Sequence, residues 1–399
     1  MGSYPAVCDQ DSRSVVRFAA VLVALLVVLA LAFVLVLALI VARKIRVIAI
    51  DVNPPAAARF DLFVAESEGD RITLLLAKNS RTDALTGERW GLQWPGGYGQ
   101  IGPIITKTED RVTRAYEHVS GPPLSAGDHV EVDSYTYRGN PKTGLGLVYE
   151  EVKFESPIGI FPGWWIPSSS RTCAVFVHGL AAPRRESLRM IPPFVQSGVG
   201  CFVVSYRNDP ATPVDSAGIY RYGLTEWEDI DAAVRFAQAR GIDNFVLVGC
   251  SAGASHSLAF LKRSKLSKSV RGLMLDSPLL SLEQTLDWHA QQHPILRSRL
   301  ASPSVRLGKM MAERRHGVDW DEVDHLKDAD RLVTPILLFH GTNDERIPVS
   351  TSDCLAAARP DLVEYKRVPG AGHVRCWNHG PQPYEDAVKR YLNRLALLE

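Results

Sequence analysis

The sequence predicts an α/β protein: a mostly parallel central sheet covered by helices on both faces, preceded by one transmembrane helix and a small β-rich region. Three observations carry this. From about Val148 onward, short apolar runs alternate with segments of helical spacing, and strands that apolar need cover on both faces. Near the N-terminus stands one long uninterrupted apolar stretch. Between the two, strand-like runs are separated by clusters of glycine, proline and asparagine.

The apolar stretch covers residues 18–42, with no charge, glycine or proline. At about 1.5 Å per residue it is roughly 37 Å long, more than a hydrocarbon core of about 30 Å. A cleaved signal peptide would have a shorter apolar run ending in small residues. This one ends in Arg43, Lys44 and Arg46, so a retained anchor is expected after a tail of residues 1–17. The expected location is a single pass through a plasma membrane of bacterial type. Arg13 and Arg17 precede the stretch against three basic residues after it, a slight lean to a cytoplasmic C-terminal domain. Overall charge is +1, with 45 basic and 44 acidic residues and no basic stripe, so nucleic acid is not an expected partner. No two of the six cysteines have zinc-ribbon spacing. Cys354 and Cys376 are the pair left for a disulfide in an oxidising compartment. The start lacks the Ser or Thr at position 6 of a myristoylation signal.

Residues 45–147 form the β-rich region, with candidate strands at 71–77, 111–118 and 129–137 and turn clusters at 94–97 and 139–144. Trp90, Trp94 and Tyr98 are expected to fill its core. Residues 148–399 form the second region. A hairpin of 152–154 with 163–166 leads into strands at 173–177, 201–206, 245–248, 272–275, 335–339 and 363–368. Helices are expected at 185–196 (kinked by Pro192 and Pro193), 224–239, 252–262, 350–358 and 384–398. Thr225 and Glu228 have the spacing of a capping box for the helix at 224–239.

The chemistry is carried by Gly249-Cys250-Ser251-Ala252-Gly253, between a strand and a helix. A serine on so sharp a turn needs very small neighbours two residues away. The turn lifts its Oγ clear of the sheet and sets it at a helix N-terminus, which favours negative charge. The partners should follow in the order acid, then histidine. Asp344 lies in the loop after strand 335–339 and His373 in the loop after strand 363–368. In this reading His373 takes the Ser251 proton and Asp344 orients the ring. Asp276, at another strand end, is the alternative acid. The oxyanion donors are expected to be the backbone N–H groups of Ala252 and Leu180, the latter in the loop His178-Gly179-Leu180. His178 and His340 are expected to be structural, and Cys250 a packing residue. Arg207 and Asp209 suit either a pocket wall or a surface ion pair. His289, His293 and His316 are too scattered for a metal site, and no metal or cofactor is expected.

The chain resembles the α/β-hydrolase superfamily over about residues 148–399. Within it, the serine aminopeptidase-like group and the membrane-associated α/β-hydrolase-domain enzymes are the most similar. The resemblance rests on His178-Gly179, Ser205-Tyr206-Arg207-Asn208-Asp209, Tyr222-Gly223-Leu224 with Glu226-Trp227, the Ser251 elbow, Leu275-Asp276-Ser277-Pro278 and the two late loops. It implies cleavage of an acyl ester, thioester or amide without metal or cofactor, the substrate being a small or lipid-like acyl compound. It also implies that residues 279–334 form a lid, with Trp288, Leu296, Met310 and Met311 lining an apolar pocket. The rival readings are a non-catalytic scaffold of the same fold, and a peptidase or C–C hydrolase using the same residues.

Overall fold

The computed structural model describes residues 8–52, 60–76 and 86–396, which divide into two compact units. Among the described residues, the smaller contains 8–51 and 286–319, and the larger contains 52, 60–76, 86–285 and 320–396. The residues expected to form a lid therefore separate. Residues 286–319, with Trp288, Leu296, Met310 and Met311, group with the N-terminal helix, whereas 320–334 belong to the larger unit.

In the smaller unit, helix α1 (Cys8–Ile45) ends in a wider π-helical turn at Arg46–Ile50. It is long and apolar enough to cross a membrane. In the same unit, helix α7 (Ser302–His316) packs along its C-terminal part, closely enough that a Cβ on Gly308 would stand 2.8 Å from Ala38 O and Val41 Cβ.

The larger unit begins with a closed six-stranded barrel of β1 (Leu62–Glu68), β2 (Arg71–Leu75), β3 (Trp90–Trp94), β4 (Gly97–Lys107), β5 (Arg111–Ser120) and β6 (His129–Asp133), in the order β1-β2-β5-β4-β3-β6. Trp90 and Trp94 fill its interior with Leu62, Ile72, Leu92, Ile101 and Val132. Sequence patterning locates β2, β5 and β6 but misses β1, β3 and β4. Strand β4 carries Gly97, Gly99, Gly102 and Pro103, which read as a turn. The glycines are needed because rings occupy the Cβ space: a Cβ on Gly97 would stand 2.1 Å from the Trp94 ring, and one on Gly99 2.6 Å from Tyr116. Pro103 sits where the β4–β5 register shifts, the place a sheet tolerates it.

After helix α2 (Pro141–Leu145) comes an eight-stranded sheet in the order β14-β13-β12-β11-β9-β10-β8-β7. Strands β7 (Glu150–Ser156) and β8 (Gly159–Ile166) form the expected antiparallel hairpin, and β8 is antiparallel to β10 (Gly200–Val204). Strands β9 (Thr172–Val177), β10, β11 (Asn244–Cys250), β12 (Val270–Asp276), β13 (Ile336–Gly341) and β14 (Val363–Val368) are parallel. Alternate residues serve opposite faces. Val175, Val177 and Leu247 join one core, under α4 (Trp227–Ala239), while Phe176, Val246 and Val248 join the other, under α10 (Pro381–Ala396).

The remaining helices are α3 (Pro192–Gln196), α5 (Ala252–Arg263), α6 (Leu282–Gln292), α8 (Val349–Ala358) and α9 (Cys376–His379). Two helical expectations change. Residues 184–190 wind as a 3₁₀ helix before α3, because Pro192 and Pro193 suit only the start of an α-helix. Helix α4 starts at Trp227, and no Thr225–Glu228 capping box forms. The Thr225 hydroxyl is buried without a partner, Glu228 meets Arg207, and the preceding turn is held by Glu226, which accepts the N–H groups of Arg221 and Gly223 at 2.7 and 2.9 Å.

Helix α5 carries one buried histidine, His256, and meets a second, His325, through Ser255. Burial pushes His325, whose Nε2 is 2.8 Å from Ser255 Oγ, down to about 3, aided by the Lys262 charge. Burial also lowers His256 against the pull of Glu226. As pH falls below about 6.5, the unfolded chain takes up protons that these folded imidazoles refuse, so stability declines until the folded pKa is reached. His178 acts oppositely. Burial lowers it but Asp209 raises it further, so its contribution is present at low pH and is lost as pH rises through its raised pKa. The expected outcome is stability, and with it the thermal midpoint, that falls between pH 6.5 and 4, with His325 contributing up to about 1.4 kcal/mol per pH unit. In His325→Gln that slope should be shallower, as measured by calorimetry across the pH series.

Candidate active site

Parallel pairing brings the ends of five strands to one sheet edge, where loops meet in folds of this type. Gly249 of β11 pairs with Val177 of β9, Cys250 with Asp276 of β12, Asp276 with Phe339 of β13, and Gly341 with Val368 of β14. The loops carrying Ser251, Gly179, Asp344 and His373 leave from these ends.

Ser251 has φ 52° and ψ −117°, a conformation that costs a non-glycine residue about 1–3 kcal/mol. Glycines on both sides make room for it. A Cβ on Gly249 would stand 2.6 Å from Ala254 Cα, and one on Gly253 2.1 Å from Val177 O. The Ser251 N–H donates to Asp276 O at 3.0 Å, and its carbonyl accepts from Leu279 and Ala254 at 3.0 and 3.1 Å.

The side chains form one line. Ser251 Oγ is 2.9 Å from His373 Nε2, and His373 Nδ1 is 2.8 Å from Asp344 Oδ2. Asp344 Oδ1 accepts the N–H groups of Arg346 and Ile347 at 2.8 and 2.9 Å. Buried His340 places its Nε2 3.2 Å from Asp344 Oδ2, while its Nδ1 is 2.7 Å from Ser352 Oγ. Burial alone would raise the Asp344 pKa. Hydrogen bonds from His340 and His373, the His373 charge and the Ile347 N–H overcome this and hold the carboxyl well below the usual range. The site thus pairs a fixed carboxylate with one face of an imidazole and a hydroxyl with the other.

Asp276 lies elsewhere. Its carboxyl accepts Tyr384 OH at 3.1 Å, and burial raises its pKa against the attraction of Arg189. It supports the elbow through its backbone carbonyl. The Gly179 N–H is taken by buried Glu186 at 2.7 Å, while among the described residues the N–H groups of Leu180 and Ala252 have no partner. A Cβ on Gly179 would stand 3.2 Å from Ser251 Cβ, so this loop lies against the serine. His178 is buried, stacked on Tyr206 at 4.6 Å, with Nε2 2.9 Å from Asp209. Arg207 is also buried, bonded to Asp229 and Glu228, so Arg207 and Asp209 form no surface ion pair. Cys250 is buried in the core, and Cys354 and Cys376 are free thiols, the first exposed and the second buried.

The motifs do not reveal what holds the histidine loop. Val374, next to His373, has φ 52°, an outlier for a β-branched residue. Its N–H donates to Ser277 Oγ at 3.0 Å, and its carbonyl accepts Arg189 Nη2 at 2.8 Å. The other end of Arg189 donates to Ser134 O, just past the barrel. Asn378 Nδ2 lies 2.9 Å from Arg89 O, 3.1 Å from Ser134 O and 2.9 Å from Thr136 Oγ1. Its backbone carbonyl accepts the N–H groups of Glu88 and Arg89. The barrel is therefore stitched to the segment that carries His373.

Residues 174–389 match the model of the alpha/beta hydrolase family. The chain belongs to that family. The α/β hydrolase also matches, over residues 64–133, a domain of unknown function (DUF8805) that coincides with the barrel. No curated protein matches it by sequence. Among solved structures it is similar to the esterase Pf2001 of Pyrococcus furiosus. In one crystal form the identity is 19%, with 64% of this chain and 96% of that chain covered and a TM-score of 0.51. In a second form the values are 19%, 65%, 95% and 0.50. The esterase RhEst1 from Rhodococcus sp. ECU1013 is more distant, at 15% identity, 61% and 99% coverage and a TM-score of 0.45. At these identities the likeness is one of fold.

Asn378→Asp sets a carboxylate against the Arg89 and Ser134 carbonyls in place of the amide donor. It should cost more stability than Asn378→Ala, whose loss should be roughly 1–3 kcal/mol for unpaired buried groups. Urea unfolding of both variants measures this; equal stability of Asp, Ala and wild type would remove the stitch from the account.

Proposed function

We propose that this α/β hydrolase is a membrane-anchored serine hydrolase, cleaving an acyl ester, thioester or amide through a covalent acyl intermediate on Ser251. One observation carries the reading: the hydrogen-bonded line Ser251 Oγ–His373 Nε2, His373 Nδ1–Asp344 Oδ2. Supporting it are the strained elbow and the unpaired N–H groups of Leu180 and Ala252.

In this mechanism His373 Nε2 takes the Ser251 proton as Oγ attacks the acyl carbonyl carbon. Negative charge gathers on the carbonyl oxygen, where the Ala252 and Leu180 N–H groups donate. The tetrahedral species collapses, and the leaving group departs with the proton now on His373. Water then attacks the acyl–Ser251 carbonyl, again giving its proton to His373, and the acid leaves with Ser251 restored. Asp344 keeps a proton on Nδ1 and balances the imidazolium. Its depressed pKa keeps it ionised throughout the pH range in which an imidazole can act as base. The fold-sharing Pyrococcus esterase makes an ester the first substrate to test. Helix α1 supports the membrane part of the reading by its length and composition.

Hydrolysis of an activated short-chain ester by the full chain tests the assignment. Ser251→Ala and Asp344→Asn should each lower kcat by on the order of 10⁴-fold, whereas Asp276→Asn should keep most of kcat in the fraction that folds. Loss of kcat in Asp276→Asn with retention in Asp344→Asn would reverse the choice of acid. Undiminished turnover in Ser251→Ala would end the serine reading.

A further inference from the structure

We propose that residues 293–316 are a membrane-interface element, docking beside α1 onto the anionic headgroups of the leaflet that α1 enters. The proposal rests on the anchor reading of α1 and extends it to a second contact with the same membrane.

The register of the two helices sets the level. Gly308 faces Ala38 and Val41, and further along α7 His316 senses the charges of Arg46 and Asp51, so the helices run in the same direction. Helix α7 starts at Ser302, six residues or about 9 Å before Gly308, beside α1 residues near position 33. Coverage of α1 agrees. Residues 14–33 are exposed on every side, whereas from Val34 onward one stripe is covered, with Ala38, Val41 and Ile45 buried. After Arg17 the bare part holds 16 apolar residues, 18–33, about 24 Å or most of a hydrocarbon thickness of about 30 Å. A bilayer that occupies the bare part ends where α7 begins, which puts the loop before α7 at the interface.

That loop is built for such a place. Ile295 and Leu300 are 61% and 83% exposed, costly in water and suited to the acyl boundary. Arg297, Arg299 and Arg306 are also exposed and enter no ion pair among the described residues. From His293 to Ala312 there is no acidic residue. Exposed apolar side chains interleaved with unpaired guanidinium groups match lipid tails below and anionic headgroups above. The lone lysine of this stretch, Lys309, is instead satisfied by Asp287 at 2.6 Å.

The test uses the full chain in vesicles of phosphatidylcholine with or without phosphatidylglycerol. A nitroxide is placed at Leu300→Cys in a chain also carrying Cys8→Ser and Cys354→Ser, and a second at Val148→Cys, 82% exposed in the larger unit, serves as reference. The expected result is severalfold lower accessibility of the 300 label to a water-soluble nickel chelate than of the 148 label, with higher accessibility to oxygen. The contrast should be strongest with phosphatidylglycerol and weaken when Arg297, Arg299 and Arg306 are replaced by glutamate. Equal chelate accessibility at both positions, in a chain that resists alkaline carbonate extraction, overturns the docking proposal and leaves the anchor standing. Extraction of the chain by carbonate overturns the anchor reading and the docking with it.

Discussion

The turn at Ser251 is the constraint on which the site depends. The serine has positive φ without being glycine, and it can hold that conformation because the space on either side is empty of side chains. Gly249 lies against Ala254 and Gly253 against the Val177 and His178 carbonyls. Any larger residue at either position would push helix α5 away from the strand ends. The strain is balanced by backbone bonds to Asp276 and Leu279, so the neighbouring strand and the chain beyond it take part in holding one hydroxyl in place.

A second set of contacts fixes the partners. Gly341 lets the acid loop approach Ala371, where a Cβ would stand 2.1 Å from the Ala371 carbonyl. Asn343 N–H then donates to Ala371 O at 3.0 Å, which joins the loops of Asp344 and His373. His340 reaches Asp344 from below, and the left-handed Val374 is gripped by Ser277 and Arg189. Through Arg189 and Asn378 this grip continues into the segments that border the barrel. The barrel is thus part of the mechanical support of the histidine loop.

Much of this was legible in the sequence, for identifiable reasons. The elbow could be read because its conformation demands small residues at fixed spacing. Strands β9 to β14 could be read because burial on both faces demands unbroken apolar runs. Asp344 and His373 followed from chain order, and the structure brings both to Ser251. What escaped depends on contacts between distant segments. Arg189 reaches Val374, 185 positions away, and Asn378 reaches Ser134, 244 positions away; neither has a local pattern. Strand β4 escaped because its glycines make room for Trp94 and Tyr116, a packing need that looks like turn chemistry. The capping box failed because Glu226 organises the turn that Thr225 was expected to cap. That residues 286–319 group with α1 also escaped, because no local periodicity reports which apolar surface a helix will choose.

The central claim is that the strained Ser251 is the nucleophile. The most direct measurement is to react the full chain with a fluorophosphonate, digest it and locate the phosphonyl group by mass spectrometry. A single stoichiometric adduct on Ser251 is expected, lost when the chain is unfolded before reaction. An adduct on another residue, or none on Ser251 in the folded chain, would contradict it.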